Sequence, residues 1–350
     1  MKEPSNYLFK ISFQLQVMRV SVIVPAKNVD KKLKLLFDSL NKQILKPHEI
    51  IVVYNDVDND FILLEHRNKV RFLRDKEAKG ANYARNRGAR VASGDILAFT
   101  DSDCIPDNEW ISSLMTEFSN FNVDAVAGIV KTYNKESFIA RYIGKSFFRP
   151  TQFKERKILS KSMGINIAVT SNFAIKRDVL LKIGGFDEEY FRYGSDDVDL
   201  VTKLIKNGYK ILLSPLPVVY HIERTRLWNI IKRFYEYGKG LSIYRFKHPL
   251  TLLSLVSSAV TYGIVSVYLL SAYLMFYGNK ITALSLSALH FVFLMVYHLI
   301  YSFKERNLER MIYPFLDYIL SISSILGILI MDCKTLINKL AYSLKSLFRI

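Results

Sequence analysis

Through residue 222, short apolar runs rich in β-branched residues alternate with longer mixed stretches. The runs at 20–24, 50–54, 70–73, 96–100 and 125–130 are bounded by turn-forming residues and predict strands. Between them, 31–43 and 81–92 space their apolar residues three and four apart, which predicts helices. Alternating strands and helices predict a mostly parallel sheet covered on both faces. Ligands of such sheets bind beyond the carboxyl ends of the strands, so chemistry is expected just after the apolar runs.

Past Pro249 the pattern changes to three nearly unbroken apolar stretches, 250–277, 281–303 and 311–331. Each exceeds the roughly 20 residues that cross a hydrocarbon core. Their internal polar residues are mostly Ser, Thr and Tyr; His290, His298 and Asp317 are the costly exceptions. Ahead of them, Trp228, Phe234, Tyr235, Tyr237 and Tyr244 interleave with Arg226, Lys232, Arg233, Lys239 and Arg245. That mixture suits a helix lying on lipid headgroups or, equally, an amphipathic helix packed on its own domain. The chain thus divides into an extension (1–17), an α/β domain (18–222), an interfacial segment (223–248), membrane helices (249–333; two to four, with three favoured) and a basic amphipathic tail (334–350).

Charge sharpens this picture. Lys and Arg number 49 against 32 Asp and Glu, a formal net charge of +17. Such an excess seeks nucleic acid, anionic lipid or phosphorylated ligands. Apolar stretches flanked by basic residues favour the membrane over nucleic acid. Arg245 and Lys247 put the first helix start in the cytoplasm, as do Lys304, Arg306 and Arg310 for the second loop. A multi-pass protein of the cell membrane is expected, its α/β domain facing the cytoplasm. Three full crossings would leave Lys334, Lys339, Lys345 and Arg349 outside, so the number of crossings stays open, with a dipping stretch or a hairpin in the first as alternatives. Cys104 and Cys333 are too few and too distant for a disulfide framework or zinc cluster, which fits a reducing compartment. Residues 1–17 lack a signal-peptide pattern, and Met18 directly before the first strand is an alternative start.

The strongest chemical constellation follows the run Ile96-Leu97-Ala98-Phe99-Thr100, where Asp101 and Asp103 stand two apart. Two strand-end carboxylates that face one ligand suit Mg²⁺ or Mn²⁺ carried on a diphosphate. A capping turn is the plainer reading, and a phosphatase-type aspartate a third, although Cys104-Ile105-Pro106 follows instead of Gly-Thr. Upstream, Arg85 and Arg87 offer guanidiniums that could reach a diphosphate, or form a solvated basic helix face, the reading that suits Arg87 better than Arg85. Neither a Gly-x-Gly-x-x-Gly after the first strand nor a P-loop is present.

With Ser21-Val22-Ile23-Val24-Pro25-Ala26-Lys27-Asn28, Ala84-Arg85-Asn86-Arg87-Gly88 and Phe99-Thr100-Asp101-Ser102-Asp103 in this order, roughly residues 18–240 resemble the family 2 glycosyltransferases. Gly184-Gly185-Phe186-Asp187-Glu188 and Gly194-Ser195-Asp196-Asp197-Val198-Asp199-Leu200 look like that family's acceptor-side segments. The resemblance implies a GT-A fold, a Rossmann-like α/β catalytic domain with a mostly parallel sheet, here followed by an α-helical membrane region. It implies a nucleotide-sugar donor held by Pro25, Asn55, Arg85 and Asp101, and Mg²⁺ or Mn²⁺ held by Asp103 with Asp101 and His221, although His221 reads equally well as a satisfied histidine on a domain rim. Asp197 matches the general base and Asp196 the first acid of the pair. Two departures stand out. Tyr54-Asn55-Asp56-Val57-Asp58 replaces the usual acidic Gly-Ser segment, leaving the nucleotide base open, and Asp196 is one methylene shorter than the family's Glu.

The implied activity is an inverting, metal-dependent transfer to a membrane-associated acceptor: polyprenyl phosphate, a lipid-linked glycan or a polysaccharide. A non-catalytic sugar-nucleotide-binding module is the alternative; it would lack the metal acid or the base, and both Asp103 and Asp197 are present. Arg141, Lys145, Arg149, Lys154, Arg156 and Lys157, mixed with Phe147, Phe148 and Phe153, read either as an acceptor loop facing the membrane or as a solvated connection. Oligomeric state is not readable.

Overall fold

The computed structural model describes residues 18–57, 70–149, 153–159, 168–191 and 193–347. Residues 1–17, Asp58, Lys161 and Arg349 lie outside the described residues. Among the latter, the strands are β1 (Val20–Val29), β2 (Glu49–Val57), β3 (Arg71–Arg74), β4 (Ile96–Phe99), β5 (Cys104–Pro106), β6 (Ala125–Thr132), β7 (Lys157–Leu159), β8 (Phe173–Lys176) and β9 (Ile211–His221). The helices are α1 (Lys31–Asn41), α2 (Ala81–Val91), α3 (Trp110–Asn120), α4 (Phe138–Ile143), α5 (Arg177–Lys182), α6 (Asp196–Lys206), α7 (Leu227–Lys247), α8 (Leu252–Tyr277), α9 (Lys280–Glu305) and α10 (Tyr313–Leu347).

They form two compact units. The first comprises the described residues of Met1–Lys135, Pro150–Arg192 and Asp196–Glu223, and is built on one sheet of order β3-β2-β1-β4-β8-β6-β9-β5, with β7 also on β9. Strands β1 to β4 run parallel, as the strand–helix alternation predicts. β8 then runs antiparallel to β4 and β6, and β5 and β7 antiparallel to β9. β1 is buried from Val20 through Ala26, the mark of a central strand covered on both faces. Val22 and Val24 pack in the layer of α1 and α3, and Ile23 in the layer of α2, α5 and α6. Asp30 caps α1 by accepting from the Lys32 and Leu33 amides, and Leu33, Leu36, Phe37 and Leu40 form its buried stripe. Each such side chain contributes roughly 1.5–3 kcal/mol before conformational entropy is counted.

β9 escapes a reading by pattern because Pro215 and Pro217 interrupt it. The β6–β9 register shifts between Ala127 and Ile129, opposite those prolines. Asn172 fills the irregularity: its Nδ2 donates to the Ile129 and Pro217 carbonyls at 2.8 and 2.9 Å, and its Oδ1 accepts from Trp110 Nε1 at 2.8 Å.

The second unit comprises Glu136–Arg149, Tyr193–Ser195 and the described residues from Arg224 onward. α7 lies along α10 so closely that a Cβ on Gly327 would fall 2.0 Å from the Tyr235 carbonyl oxygen. One face of α7 is thereby buried, while Trp228 on its first turn is 72% exposed. α8 and α9 form a hairpin whose second helix is capped by Asn279. Among the described residues, three helical spans, Leu252–Tyr277, Lys280–Glu305 and Tyr313–Ser343, are long and apolar enough to cross a membrane. The first stretch is one unbroken helix, and α10 continues beyond residue 333 into the basic tail. The costly polar residues have partners. Asp317 accepts from Tyr142 Oη and Ser146 Oγ, both at 2.6 Å, from the Phe147 amide at 2.9 Å, and bonds His298 Nε2 at 2.7 Å. His290 lies between Tyr268 Oη and Ser321 Oγ, each at 3.1 Å.

Candidate active site

The site is assembled at the carboxyl ends of the parallel strands. Ile23 of β1 is paired with Phe99 of β4, and buried Pro25 and half-buried Asp101 each follow two residues on. Gly88 lets α2 sit directly on β1, where a Cβ would come 2.6 Å from Ile23 Cγ2. That close seat carries Arg85, one turn earlier, to the sheet edge.

Arg85 is 5% exposed and charged on both sides. Its NH2 meets Asp101 Oδ1 at 2.9 Å, and its NH1 meets Asp196 Oδ2 at 3.0 Å and Asn82 Oδ1 at 2.9 Å. Burial works against the guanidinium charge, but Asp101 and Asp196 outweigh it and raise its pKa. The fork expected to reach a diphosphate is therefore taken up by carboxylates, because α6 brings Asp196 to it across 111 positions of sequence. Arg87 turns away and donates to the Arg74 carbonyl at 2.7 Å. Asn86 grips the Gly184–Glu188 segment: it donates to the Phe186 carbonyl and Glu188 Oε1 and accepts from the Phe186 amide. Two blocks of the sequence resemblance thus hold each other.

Asp196, Asp197 and Asp199 fill the first turn of α6, where the helix dipole favours negative charge. Asp199 turns inward to Tyr190 and Lys203. Asp197 accepts from the Val198 amide at 2.8 Å. Burial first, and then the charge of Asp196, push its carboxyl up to about 7. Such a group is about half ionised near neutrality and is basic enough to accept a proton.

A second cluster is made by strand pairing. Cys104 of β5 is opposite His221 of β9, and the Ile222 amide donates to the Asp103 carbonyl at 2.9 Å. His221 Nε2 therefore lies 3.4 Å from Asp103 Oδ1, and its Nδ1 lies 3.1 Å from Glu223 Oε2. Glu223 is fixed through its backbone by Asn134, which bonds it in both directions at 3.0 and 2.8 Å. Burial lowers the His221 pKa, but the hydrogen bonds its ring donates to Asp103 and Glu223 raise it well above the ordinary value. Asp103, Cys104 and His221 offer donor atoms within 4.8 Å of one another. Burial, then Asp101 and Asp103, push the Cys104 thiol well up, which makes it a poor ligand for a hard cation. A carboxylate and an imidazole backed by an outer carboxylate fit a divalent cation, the outer group being the one that orients ligating histidines.

Arg85, Asp101, Asp196 and Asp197 thus come together in one network, and Asp103 and His221 in an adjoining one. Among the described residues, Pro25 and Asn55 share the same sheet edge but join neither network. Asn55 Nδ2 reaches only Asp75, at 3.4 Å to the carbonyl and 3.5 Å to the carboxylate. Glu223, Asn82 and Asp75 are additions that sequence reasoning did not single out. Asp75, buried at the end of β3, accepts from the Glu77 and Lys79 amides.

The cations proposed for an acceptor loop are largely engaged. Arg141 forks onto Glu309 at 2.8 to 3.1 Å, and Lys145 pairs with Glu305 at 3.1 Å. Arg156 binds the fully buried Glu117 with its Nε 3.0 Å from both oxygens. Lys154 and Lys157 remain exposed.

Residues 21–184 match the family model for glycosyl transferase family 2, and residues 160–246 match that for the N-terminal domain of galactosyltransferase. The pre-mycofactocin glycosyltransferase of Mycobacterium tuberculosis is 29% identical over 235 residues, 66% of this chain and 48% of its own length. The glucosyl-dolichyl phosphate glucuronosyltransferase of Haloferax volcanii is 28% identical over 193 residues, 52% of this chain and 60% of its own. The chain spans about half the length of the mycobacterial relative it matches. Among solved structures, the mannosyltransferase PcManGT from Pyrobaculum calidifontis, in complex with GDP-Man and Mn²⁺, superposes with a TM-score of 0.60 at 17% identity, over 93% of this chain and 94% of that one. The shared fold is GT-A.

Proposed function

Residues 21–184 are a glycosyl transferase family 2 domain, and on that premise we propose that the chain transfers a sugar, with inversion, from a nucleotide-sugar donor to an acceptor at a membrane. The observation that carries the proposal is the single guanidinium of Arg85, which joins Asp101 on the donor edge to Asp196 beside Asp197. Donor and acceptor groups are thereby held in one frame, as an in-line displacement at an anomeric carbon requires.

In this reading Asp197 takes the proton of the incoming acceptor hydroxyl. Its raised pKa matches that task near neutral pH. Arg85 keeps Asp101 and Asp196 apart and oriented, so that Asp196 lifts the basicity of Asp197 without occupying the acceptor's place. Asp103 and His221 would hold Mg²⁺ or Mn²⁺, with Asp101 beside them. The cation, when bound, supplies charge to neutralise the departing diphosphate. Glu223 fixes the His221 ring so that Nε2 is presented to the ligand side.

The membrane part of the proposal draws on the three apolar helical spans and on the name of the Haloferax relative, which acts on a dolichyl-phosphate-linked sugar. We place the α/β domain on the cytoplasmic side, where nucleotide sugars are available and where Arg245, Lys247, Lys304 and Arg306 belong by charge.

The test is release of nucleoside diphosphate from a panel of nucleotide sugars by detergent-solubilised protein, with Mn²⁺ or Mg²⁺ and with or without polyprenyl phosphate. Metal-dependent release that is lost in Asp103→Ala supports the transferase and identifies the donor. Loss in Asp197→Asn supports a hydroxyl acceptor, whereas stimulation by the lipid phosphate with Asp197→Asn still active indicates an acceptor oxygen that is already ionised. Absence of release and of donor binding across the panel would overturn the proposal.

A further inference from the structure

α7 and α10 both belong to the second unit, where they lie side by side and run in the same direction. Ser323 Oγ donates to the Ile231 carbonyl at 2.8 Å, Gly327 seats against Tyr235, and the Arg245 guanidinium meets Asp332 at 2.7 Å. Further on, the Lys339 ammonium lies 4.8 Å from the centroid of the Phe246 ring. The two hydrogen bonds join residues 92 and 87 positions apart, so the helices stay nearly in register along α7. α8 and α9 instead run antiparallel: Ser271 Oγ donates to the Ala283 carbonyl at 2.6 Å, and Tyr268 Oη lies 3.1 Å from His290 Nδ1. Leu252 and Glu305 are therefore at the same end of this hairpin, its mouth.

α10 meets the hairpin at three points. Asp317 bonds His298, seven residues before Glu305 on α9. Ser321 bonds His290, fifteen residues before Glu305, and Asp332 accepts from Tyr262, ten residues beyond Leu252 on α8. At about 1.5 Å per residue, these points lie roughly 10, 22 and 15 Å from the mouth. From Asp317 to Asp332 α10 itself advances about 22 Å, yet its level on the hairpin changes by only about 5 Å. α10 thus runs across the hairpin, and α7 runs with it. Each helix of the hairpin is about 39 Å long, which leaves about 24 to 29 Å beyond these two contacts, close to the thickness of a hydrocarbon core.

The α7–α10 pair is also two-sided. Phe315, Ile319, Leu326, Ile330 and Ile337 recur four and seven apart on α10 and are 41% to 64% exposed, an apolar stripe. α7 carries Lys232, Arg233, Glu236, Lys239 and Arg245 along its length, charges that a crossing helix admits only at high cost.

We infer that α10, although long and apolar enough to cross a membrane, lies with α7 in the plane of the leaflet at the hairpin's mouth. Among the described helices only α8 and α9 then cross. The stripe of α10 rests on acyl chains, and Lys334 and Lys339 extend to the anionic headgroups. Both lysines thereby stay on the side of Arg245, Lys247, Lys304 and Arg306, as the distribution of basic residues demands. A third crossing would put the tail opposite them. This placement holds whether or not the α/β domain turns over a sugar nucleotide.

Single cysteines in the full chain, on a Cys104→Ser and Cys333→Ser background, test it: Lys280→Cys at the hairpin turn, Leu308→Cys at its mouth and Ser343→Cys at the end of α10. A membrane-impermeant maleimide is applied to spheroplasts and to inverted membrane vesicles of the expression host. Leu308→Cys and Ser343→Cys should label from the same side, and Lys280→Cys from the opposite one. Labelling of Ser343→Cys from the side of Lys280→Cys reveals a third crossing and overturns the inference, as does labelling of all three from one side. Depth gives an independent readout. Nitroxides on Ile319→Cys and Ile337→Cys, in vesicles of zwitterionic and anionic phospholipid, are followed by electron paramagnetic resonance with oxygen and a nickel chelate as relaxants. The two sites are about 27 Å apart along α10 yet should report depths within about 5 Å of each other. Depths on opposite sides of the bilayer midplane overturn the inference.

Discussion

Arg85 and Asp196 are separated by 111 positions in sequence and joined by a 3.0 Å ion pair, and the same guanidinium holds Asp101 at 2.9 Å. One side chain from α2 therefore couples the end of a strand to the start of a helix. A planar fork is needed for this, since its two nitrogens point to different carboxylates. The pair belongs to the fold and, in the proposed function, to the site as well, so its removal has two separable consequences.

Arg85→Met should leave Asp101 and Asp196 without their common cation and cost about 3 kcal/mol, as breaking a buried pair from one side does. Arg85→Lys retains the charge but can meet only one carboxylate well. It should melt closer to the parent yet lose about tenfold to a hundredfold in kcat. Thermal melts and turnover of both variants separate the two effects. Equal turnover of Arg85→Lys and parent would remove Arg85 from the catalytic frame.

Asp197 carries a pH dependence of defined sign. As the proposed base, Asp197 with a pKa of about 7 would be protonated and inactive below that value, so kcat/KM for a hydroxyl acceptor should rise through pH 7. Asp196→Asn removes the neighbouring charge, the second cause of the shift, and should move that limb to lower pH. Stability runs the other way. The folded-state value lies above the reference 3.8, so this contribution is fully present below about pH 4 and is lost as pH rises through 7. Asp197→Asn should accordingly raise the melting temperature more at pH 8 than at pH 5.

How much of this was legible in the sequence differs by element for physical reasons. β1, β2 and β4 are read from apolar runs because buried parallel strands are continuous in hydrophobicity. β9 is hidden by Pro215 and Pro217, which a bulge and the Asn172 amide accommodate. Asp101, Asp103 and Asp197 are visible from local spacing and family resemblance. The roles of Arg85, Glu223 and Asp75 are not, since each is defined by partners that only the fold brings near. The partners of Arg141 and Arg156 are not legible in the sequence, because Glu309 and Glu117 lie 168 and 39 positions away.

His221 should couple cation binding to protons. Held between Asp103 and Glu223, it keeps its proton in the absence of metal, and ligation through Nε2 requires that proton to leave. Mn²⁺ affinity, followed by calorimetry or electron paramagnetic resonance, should therefore weaken as pH falls and be accompanied by proton release. Glu223→Gln, which alters the outer group on Nδ1, should weaken binding by about tenfold to a hundredfold. Cys104→Ser should leave affinity nearly unchanged, because the buried thiol is a poor donor to a hard ion. A large loss in Cys104→Ser would show instead that the thiol takes part.

Asp317 is the hub on which the segment 136–149 is fastened to the helices of the second unit. Its two oxygens receive Tyr142, Ser146, the Phe147 amide and His298, and its side chain is fully buried. A network of this kind is stabilising only while every member is satisfied. Asp317→Leu removes the acceptor and leaves two hydroxyls, an amide and an imidazole without it, each costing about 1–3 kcal/mol if no substitute is found. Asp317→Asn retains one carbonyl oxygen and should be milder. We expect a lower melting temperature in detergent for both, larger for Asp317→Leu, and faster proteolysis between Glu136 and Arg149. Tyr142→Phe deletes a single bond and should cost about 1 kcal/mol. If Asp317→Leu melts like the parent and the segment stays protected, its docking is carried by the apolar contacts of Tyr142, Ile230, Tyr313 and Leu320 instead.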